Sequence, residues 1–237
     1  MFIRDWRDVQ PTVTHGRLWE WPIWTRRVDE KPDRDTGAVC FNLDTYSRCL
    51  LREMLRTDRR SHEGQAEFLY VVDGCGSVEI AGERWPIRPG HIVRIPAGAS
   101  HVIANESDYP LELVAVRNPP GRGDETVLVY HWQEPRLEAE QRSEYGPWHW
   151  NHLPLGAAAG FLRLDVPPRS LPEPHAHPPG MDEIWYVLYG EGWHWVGREL
   201  QHQPAGAAVW VQPGEQHSMI NATDGQLEIL YCARRRE

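Results

Sequence analysis

The sequence predicts an all-β protein made of two homologous units in tandem. Three observations carry that prediction. Twelve tryptophans and twenty prolines stand against four phenylalanines and four methionines, a composition of large flat side chains and stiff turns. Short apolar or alternating runs, among them "EFLYVVD", "SVEIA", "HIVRIPA", "LELVAV", "EIWYVLY" and "AAVWVQP", are bounded by Gly, Pro, Asn or Asp at close spacing, as in a β-sandwich or barrel. Laid against itself at an offset of 116, the chain repeats. "EFLYVVDGCG" falls on "EIWYVLYGEG", Gly90, Gly98, His101 and Asn105 fall on Gly206, Gly214, His217 and Asn221, and the register holds without a gap from Glu67 to Glu112.

In chain order, residues 1–39 are expected to be an N-terminal arm with edge strands, including "WEWPIW". The first unit follows at 40–118. A linker at 119–135 begins where "RNPPGRGDE" clusters Pro and Gly, and the second unit occupies 136–237. "RLEAEQRSE" at 136–144 has the best helical period in the chain. It is polar all round, and is assigned to the connection.

With 41% hydrophobic residues and both charge signs dispersed, the chain reads as soluble and globular, long enough to bury two cores. "MFIRDWRDVQ" is charged where a secretion signal is apolar, and no run approaches the length of a membrane span, so the expectation is a cytoplasmic protein with no membrane partner. The formal charge of −9 argues against nucleic acid, and the basic runs "RTDRR" and "ARRRE" are read as solvated faces. Cys40, Cys49, Cys75 and Cys232 lack paired close spacing and are read as reduced thiols. "GCGSVEIAG" lies between two strands, so it is a hairpin turn and not a dinucleotide loop.

Residues i and i+2 of an extended segment share a face. His175 and His177, flanked by prolines, therefore share one. Glu183 opens the following strand, and His217 starts another after the turn "QPGEQ". Three imidazoles and a carboxylate converging inside one barrel suit a first-row divalent ion, whereas burying them without a cation is costly. A histidine alone on a strand is ordinarily a hydrogen-bonded core or surface residue, and His15, His91, His131, His149, His152, His194 and His202 are read that way. By the same period Trp185, Val187 and Tyr189 share the face of Glu183; Leu69, Val71 and Asp73 share that of Glu67; Met219 and Asn221 share that of His217. The aromatic side chains among these are core by default and a substrate lining by alternative.

These residues resemble the two motifs of the cupin superfamily, G-x5-H-x-H-x3/4-E-x6-G and G-x5-P-x-G-x2-H-x3-N. Gly90, Pro96, Gly98, His101 and Asn105 match every fixed position of the second motif. His62, Glu67 and Gly74 match the later part of the first. The resemblance implies two tandem cupin barrels of jelly-roll type, a bicupin, as a monomer or a homodimer. It also implies metal ligands at His175, His177, Glu183 and His217, with His62, Glu67 and His101 as a second set. Two departures matter. Arg60 stands where the first motif has its leading histidine, leaving either a three-ligand site or a guanidinium that replaces the ion or clamps a substrate carboxylate. The interval from His177 to Glu183 is one residue longer than the motif's, which makes Asp182 an alternative ligand to Glu183.

The implied cofactor is Fe(II) or Mn(II), with Zn(II) or Ni(II) as alternatives, and the implied partner is a small molecule. Tyr189 and Trp185 are the candidate catalytic residues, with Tyr189, Asp73 or a histidine as acid or base; Arg60 and Met219 are the candidate substrate contacts. The first functional reading is a dioxygenase acting on a chelating enediol, phenol or keto acid. The second is an isomerase, decarboxylase or lyase using the metal as a Lewis acid, and the third a non-catalytic metal- or ligand-binding barrel. The second barrel is expected to be the active one.

Overall fold

A computed structural model describes residues 1–237 except 30, 122–123, 135–136, 144–145, 152–158, 178 and 236–237. The chain divides into two compact units, Arg7–Glu134 and Pro135–Glu237, the latter joined by Met1–Trp6.

In the unit Arg7–Glu134 a long sheet runs in the order Leu128–His131, His91–Ile95, Ala66–Asp73, Leu111–Asn118, Thr45–Leu51, Leu18–Arg26 and Thr12–Thr14. A three-stranded sheet holds His101–Asn105, Gly76–Ile80 and Glu83–Ile87. Leu69, Val71 and Leu113 of the first sheet meet Val78, Ile80 and Ile103 of the second in one buried cluster. Burying each such side chain is worth about 1.5–3 kcal/mol, so the two sheets close as a sandwich around it.

The other unit repeats the plan. Its long sheet runs Phe2–Asp5, Ala207–Val211, Met181–Tyr189, Leu227–Arg235, Ala159–Val166, Gly146–Asn151, Leu137–Ser143. Its short sheet runs Glu199–Pro204, Glu191–Val196, His217–Ile220.

The repeated glycines have a steric cause. Gly74 and Gly190 adopt φ of 80° and 79°, and a Cβ there would stand 2.3 Å from the Pro110 carbonyl oxygen and 2.4 Å from that of Gln226. The repeated asparagines hold turns and do not line a site. Asn105 donates its amide protons to the Leu51, Arg52 and Tyr109 carbonyls, and Asn221 to those of Val166, Pro167 and Gly225. Asn221→Ala is expected to lower the urea-unfolding free energy by about 2 kcal/mol, because carbonyls with little access to water lose their donor. An unchanged midpoint would show that these bonds are dispensable.

The structure adds detail to several sequence expectations. Residues 1–39, expected as an arm with edge strands, supply strands to both units: Phe2–Asp5 pairs with Ala207–Val211, while Leu18–Arg26 pairs with Thr45–Leu51 in the other unit. The expected linker 119–135 contains a strand, Leu128–His131, paired with His91–Ile95. Leu137–Ser143 is a strand and not a helix, since pairing with Gly146–Asn151 overrides a local preference that had no apolar face behind it. Cys40, Cys49 and Cys232 are buried, whereas Cys75 is exposed.

Candidate metal centre

Glu183 is the third residue of Met181–Tyr189 and pairs with Val211 and Ala233 in mid-sheet, so its side chain is fixed by a ladder on both sides and buried. Two residues on, Trp185 shares its face and donates its indole N–H to Glu183 Oε1 at 2.7 Å. His175 and His217 exchange both backbone hydrogen bonds, at 3.1 and 2.9 Å, which brings their rings to 4.4 Å. His177 Nε2 lies 3.4 Å from Glu183 Oε2, and His217 Nε2 lies 3.1 Å from Oε1. The four side chains offer ligand atoms that all lie within 4.8 Å of one another. Asp182 is no competitor: it belongs to the opposite face of the strand and accepts the Trp210 indole N–H at 3.1 Å.

The donor set fits an ion. His217 Nδ1 donates to the Glu215 carbonyl at 3.1 Å, which leaves Nε2 to carry the ring's lone pair. That Nε2 is buried without an aligned hydrogen bond, facing a carboxylate oxygen. Two such atoms repel unless a proton or a cation lies between them. Ligands at right angles about 2.1 Å from a metal are about 3 Å apart, close to the spacing observed.

Electrostatics agree. Burial opposes the charge on Glu183, but the neighbouring imidazoles outweigh it and hold the carboxyl far below the usual range. Burial, reinforced by His217, brings His175 down to about 4. For His217 burial works downward, yet the adjacent Glu183 carboxylate raises it above its ordinary value. Near neutrality a metal must therefore displace the proton on His217. Metal affinity is expected to fall about tenfold per pH unit as pH drops below the raised His217 pKa, with His175 adding nothing above pH 5. Titration of Mn(II) into chelator-treated protein at pH 6, 7 and 8 measures this, and a flat profile would refute it.

The first barrel has the same frame with a different occupant. Arg60 and His101 exchange backbone hydrogen bonds at 3.1 and 2.8 Å, as His175 and His217 do, so Arg60 takes the place of His175. Its Nε donates to His101 Nε2 at 2.9 Å, and its Nη2 to Glu67 Oε1 at 3.2 Å. His101 Nδ1 donates to the Ala99 carbonyl at 2.9 Å, so the lone pair that would ligate a metal accepts from the guanidinium instead. Burial lowers Arg60 to about 10, which leaves it charged at neutral pH. Burial resists ionisation of Glu67, but its hydrogen bonds and the Arg60 charge keep its carboxyl well below the usual range. His62, Glu67 and His101 are nonetheless close enough to form a metal-sized group.

Trp185 and Met219 are buried as expected. Tyr189 is corrected: it is 64% exposed, and the register shift between Val187 and Tyr189 breaks the alternation that would have faced it inward. Asp73, next to the corresponding shift in the first unit, is likewise exposed. One histidine read from the sequence as an ordinary core or surface residue lies close to the ligand group. His194 is fully buried, with its ring 5.4 Å from Trp185 and 6.4 Å from His217, and burial lowers it to about 4. The available signal was that the repeat places it on Val78.

Known proteins agree with this frame. The model of the cupin domain matches residues 56–117 and again 162–232. An oxalate-binding protein of Thermotoga maritima is 38% identical over 71 residues, which is 30% of this chain and 57% of the relative. The match therefore spans little more than half of that relative's length. Among solved structures, a putative glyoxylate-induced protein of Pseudomonas aeruginosa superposes with a TM-score of 0.78 at 15% identity, covering 98% of this chain and 90% of the other. An oxalate decarboxylase of Bacillus subtilis, described with Mn(II) centres, superposes with a TM-score of 0.74 at 14% identity over 100% and 78%. At such identities the likeness is one of fold, and no helix among the described residues is long and apolar enough to cross a membrane. With a cupin-domain match in each half and both motifs mapped onto one barrel frame, the chain belongs to the cupin family as a two-barrel protein.

Proposed function

We propose that the second barrel is the working centre of a metal-dependent enzyme acting on a small chelating oxygen ligand. His175, His177, Glu183 and His217 hold one Mn(II) or Fe(II). The observation that carries the proposal is the His217 Nε2 lone pair, buried 3.1 Å from the Glu183 carboxylate without an aligned hydrogen bond. Bound there, such an ion supplies a Lewis acid with coordination positions left for water or substrate. Around it the chain's own residues exclude bulk water: Trp185 and Met219 are buried beside the ligands, and the Trp185 indole keeps Glu183 in one rotamer.

The names of the oxalate-handling relatives support a Lewis-acid reaction on a carboxylate or enediol over oxygen insertion. The dioxygenase reading draws on the same open positions and needs no further residue. Neither Tyr189 nor Asp73 serves as acid or base in either reading, because both are exposed. The test is turnover of small hydroxy acids, oxalate, enediols and catechols by Mn(II)- and Fe(II)-loaded protein, with and without oxygen. Anaerobic turnover supports the Lewis-acid reading and stoichiometric oxygen uptake the dioxygenase; no turnover with a loaded centre leaves a binding protein.

A further inference from the structure

Beside the ligand cluster the second barrel carries a polar pair that its sister lacks. His194 Nδ1 lies 3.0 Å from Gln203 Oε1, and both residues are fully buried. The Gln203 amide nitrogen is committed to two backbone carbonyls, of Trp185 at 2.7 Å and Ala207 at 3.0 Å. Carbonyls only accept, so the NH2 end must face them and Oε1 must face the imidazole. His194 Nδ1 is therefore the donor, and a neutral imidazole, the form that full burial favours, carries its lone pair on Nε2. That atom is buried and has no hydrogen-bond partner among the described residues.

A buried acceptor without a donor is unfavourable, and natural cores contain few of them. In the repeat, His194 corresponds to Val78 and Gln203 to Ile87. Both are buried apolar residues, so the barrel frame closes without a polar pair at this place. Gly192 pairs with Gln203 across its hairpin as Gly76 pairs with Ile87, which confirms the correspondence in space.

Resting on the metal-centre reading, we infer that His194 Nε2 is the acceptor for a proton carried by the metal's ligand, and that Gln203 positions it. The substrate class is thereby narrowed to small chelators that keep a hydrogen on a coordinating oxygen, such as 2-hydroxy acids, enediols or singly ionised catechols. Fully ionised oxalate carries only acceptors and would meet the Nε2 lone pair with another lone pair.

The experiment is calorimetric titration of glycolate and of oxalate into the Mn(II)-loaded full chain, wild type and His194→Val/Gln203→Ile, the pair the first barrel itself uses. Metal content is measured first. In the wild type the glycolate-to-oxalate affinity ratio should exceed that for Mn(II) in water by about tenfold, and the double variant should lose about tenfold in glycolate affinity alone, the size of one hydrogen bond. Its oxalate affinity and Mn(II) content should not fall. Equal weakening of both ligands, loss of Mn(II) from the variant, or no change in either ligand overturns the role of His194. A wild-type chain that binds no Mn(II) overturns the metal-centre reading and this inference with it. If the double variant does not fold, the wild-type ratio decides, and a ratio no higher than in water overturns the inference.

Discussion

Purified, metal-replete protein is expected to carry one divalent ion per chain, and His175→Ala/His217→Ala to carry none. A bound ion would replace a proton near His217 and Glu183 and would satisfy lone pairs that the buried cluster otherwise leaves facing one another. Removing two imidazoles should weaken Mn(II) binding by far more than the 10- to 100-fold typical of losing a residue that only supports a ligand. If the ion binds the folded chain alone, the loss should also appear as stability: at a free-metal concentration of about 100 times Kd, the wild type would gain about 2.7 kcal/mol that the variant does not. The single substitutions should rank. His217, 1% exposed, loses most when replaced, and His177, 31% exposed, least, since water can take its place. Elemental analysis and thermal unfolding with and without chelator measure both effects, and an ion retained by the double variant would place the centre elsewhere.

Much of this site is legible in the sequence because the ligands lie where spacing alone fixes geometry. His175 and His177 share a face of an extended segment, Glu183 lies near the start of one strand and His217 opens another, and the turns before them hold Gly180 and Gly214, both with positive φ. The period-2 rule fails at the far end of the same strand. Tyr189 and Asp73 stand next to register shifts, and one added residue turns the alternation over just where each would have reached the interior. Distance along the chain also hides partners. His194 and Gln203 are nine residues apart on two arms of a hairpin, and nothing in either residue type announces that one fixes the other's tautomer. Asp182 and Glu183 differ by one position, and the pleat separates them: one face accepts from Trp210, the other from Trp185. The helical period at 136–144 gives way to a strand over Leu137–Ser143 because intrinsic helix preference is a weak prior, while a sheet edge supplies a full ladder of hydrogen bonds.

Arg60→His is expected to raise the metal content from one ion per chain to two. Arg60 donates to His101 Nε2 and to Glu67, so its guanidinium occupies the lone pairs of two of the three residues that would ligate an ion in the first barrel. A metal can enter only by displacing a side chain whose charge already balances Glu67. Histidine at this position would be held by the same backbone pairing to the His101 strand that holds His175 against His217, and would complete the three-histidine, one-glutamate set. Arg60→Ala separates the two roles of the guanidinium. With chelator present it leaves Glu67 buried without its guanidinium partner, a loss of about 3–5 kcal/mol by the measure of other broken buried pairs. With Mn(II) or Zn(II) present, part of that loss should return, because two histidines and a carboxylate still bind a divalent ion. Metal-dependent recovery of the Arg60→Ala variant, absent from the wild type's first barrel, would identify Arg60 as a built-in cation. Two ions in the wild-type chain would show instead that the guanidinium swings away, and that both barrels are metal sites.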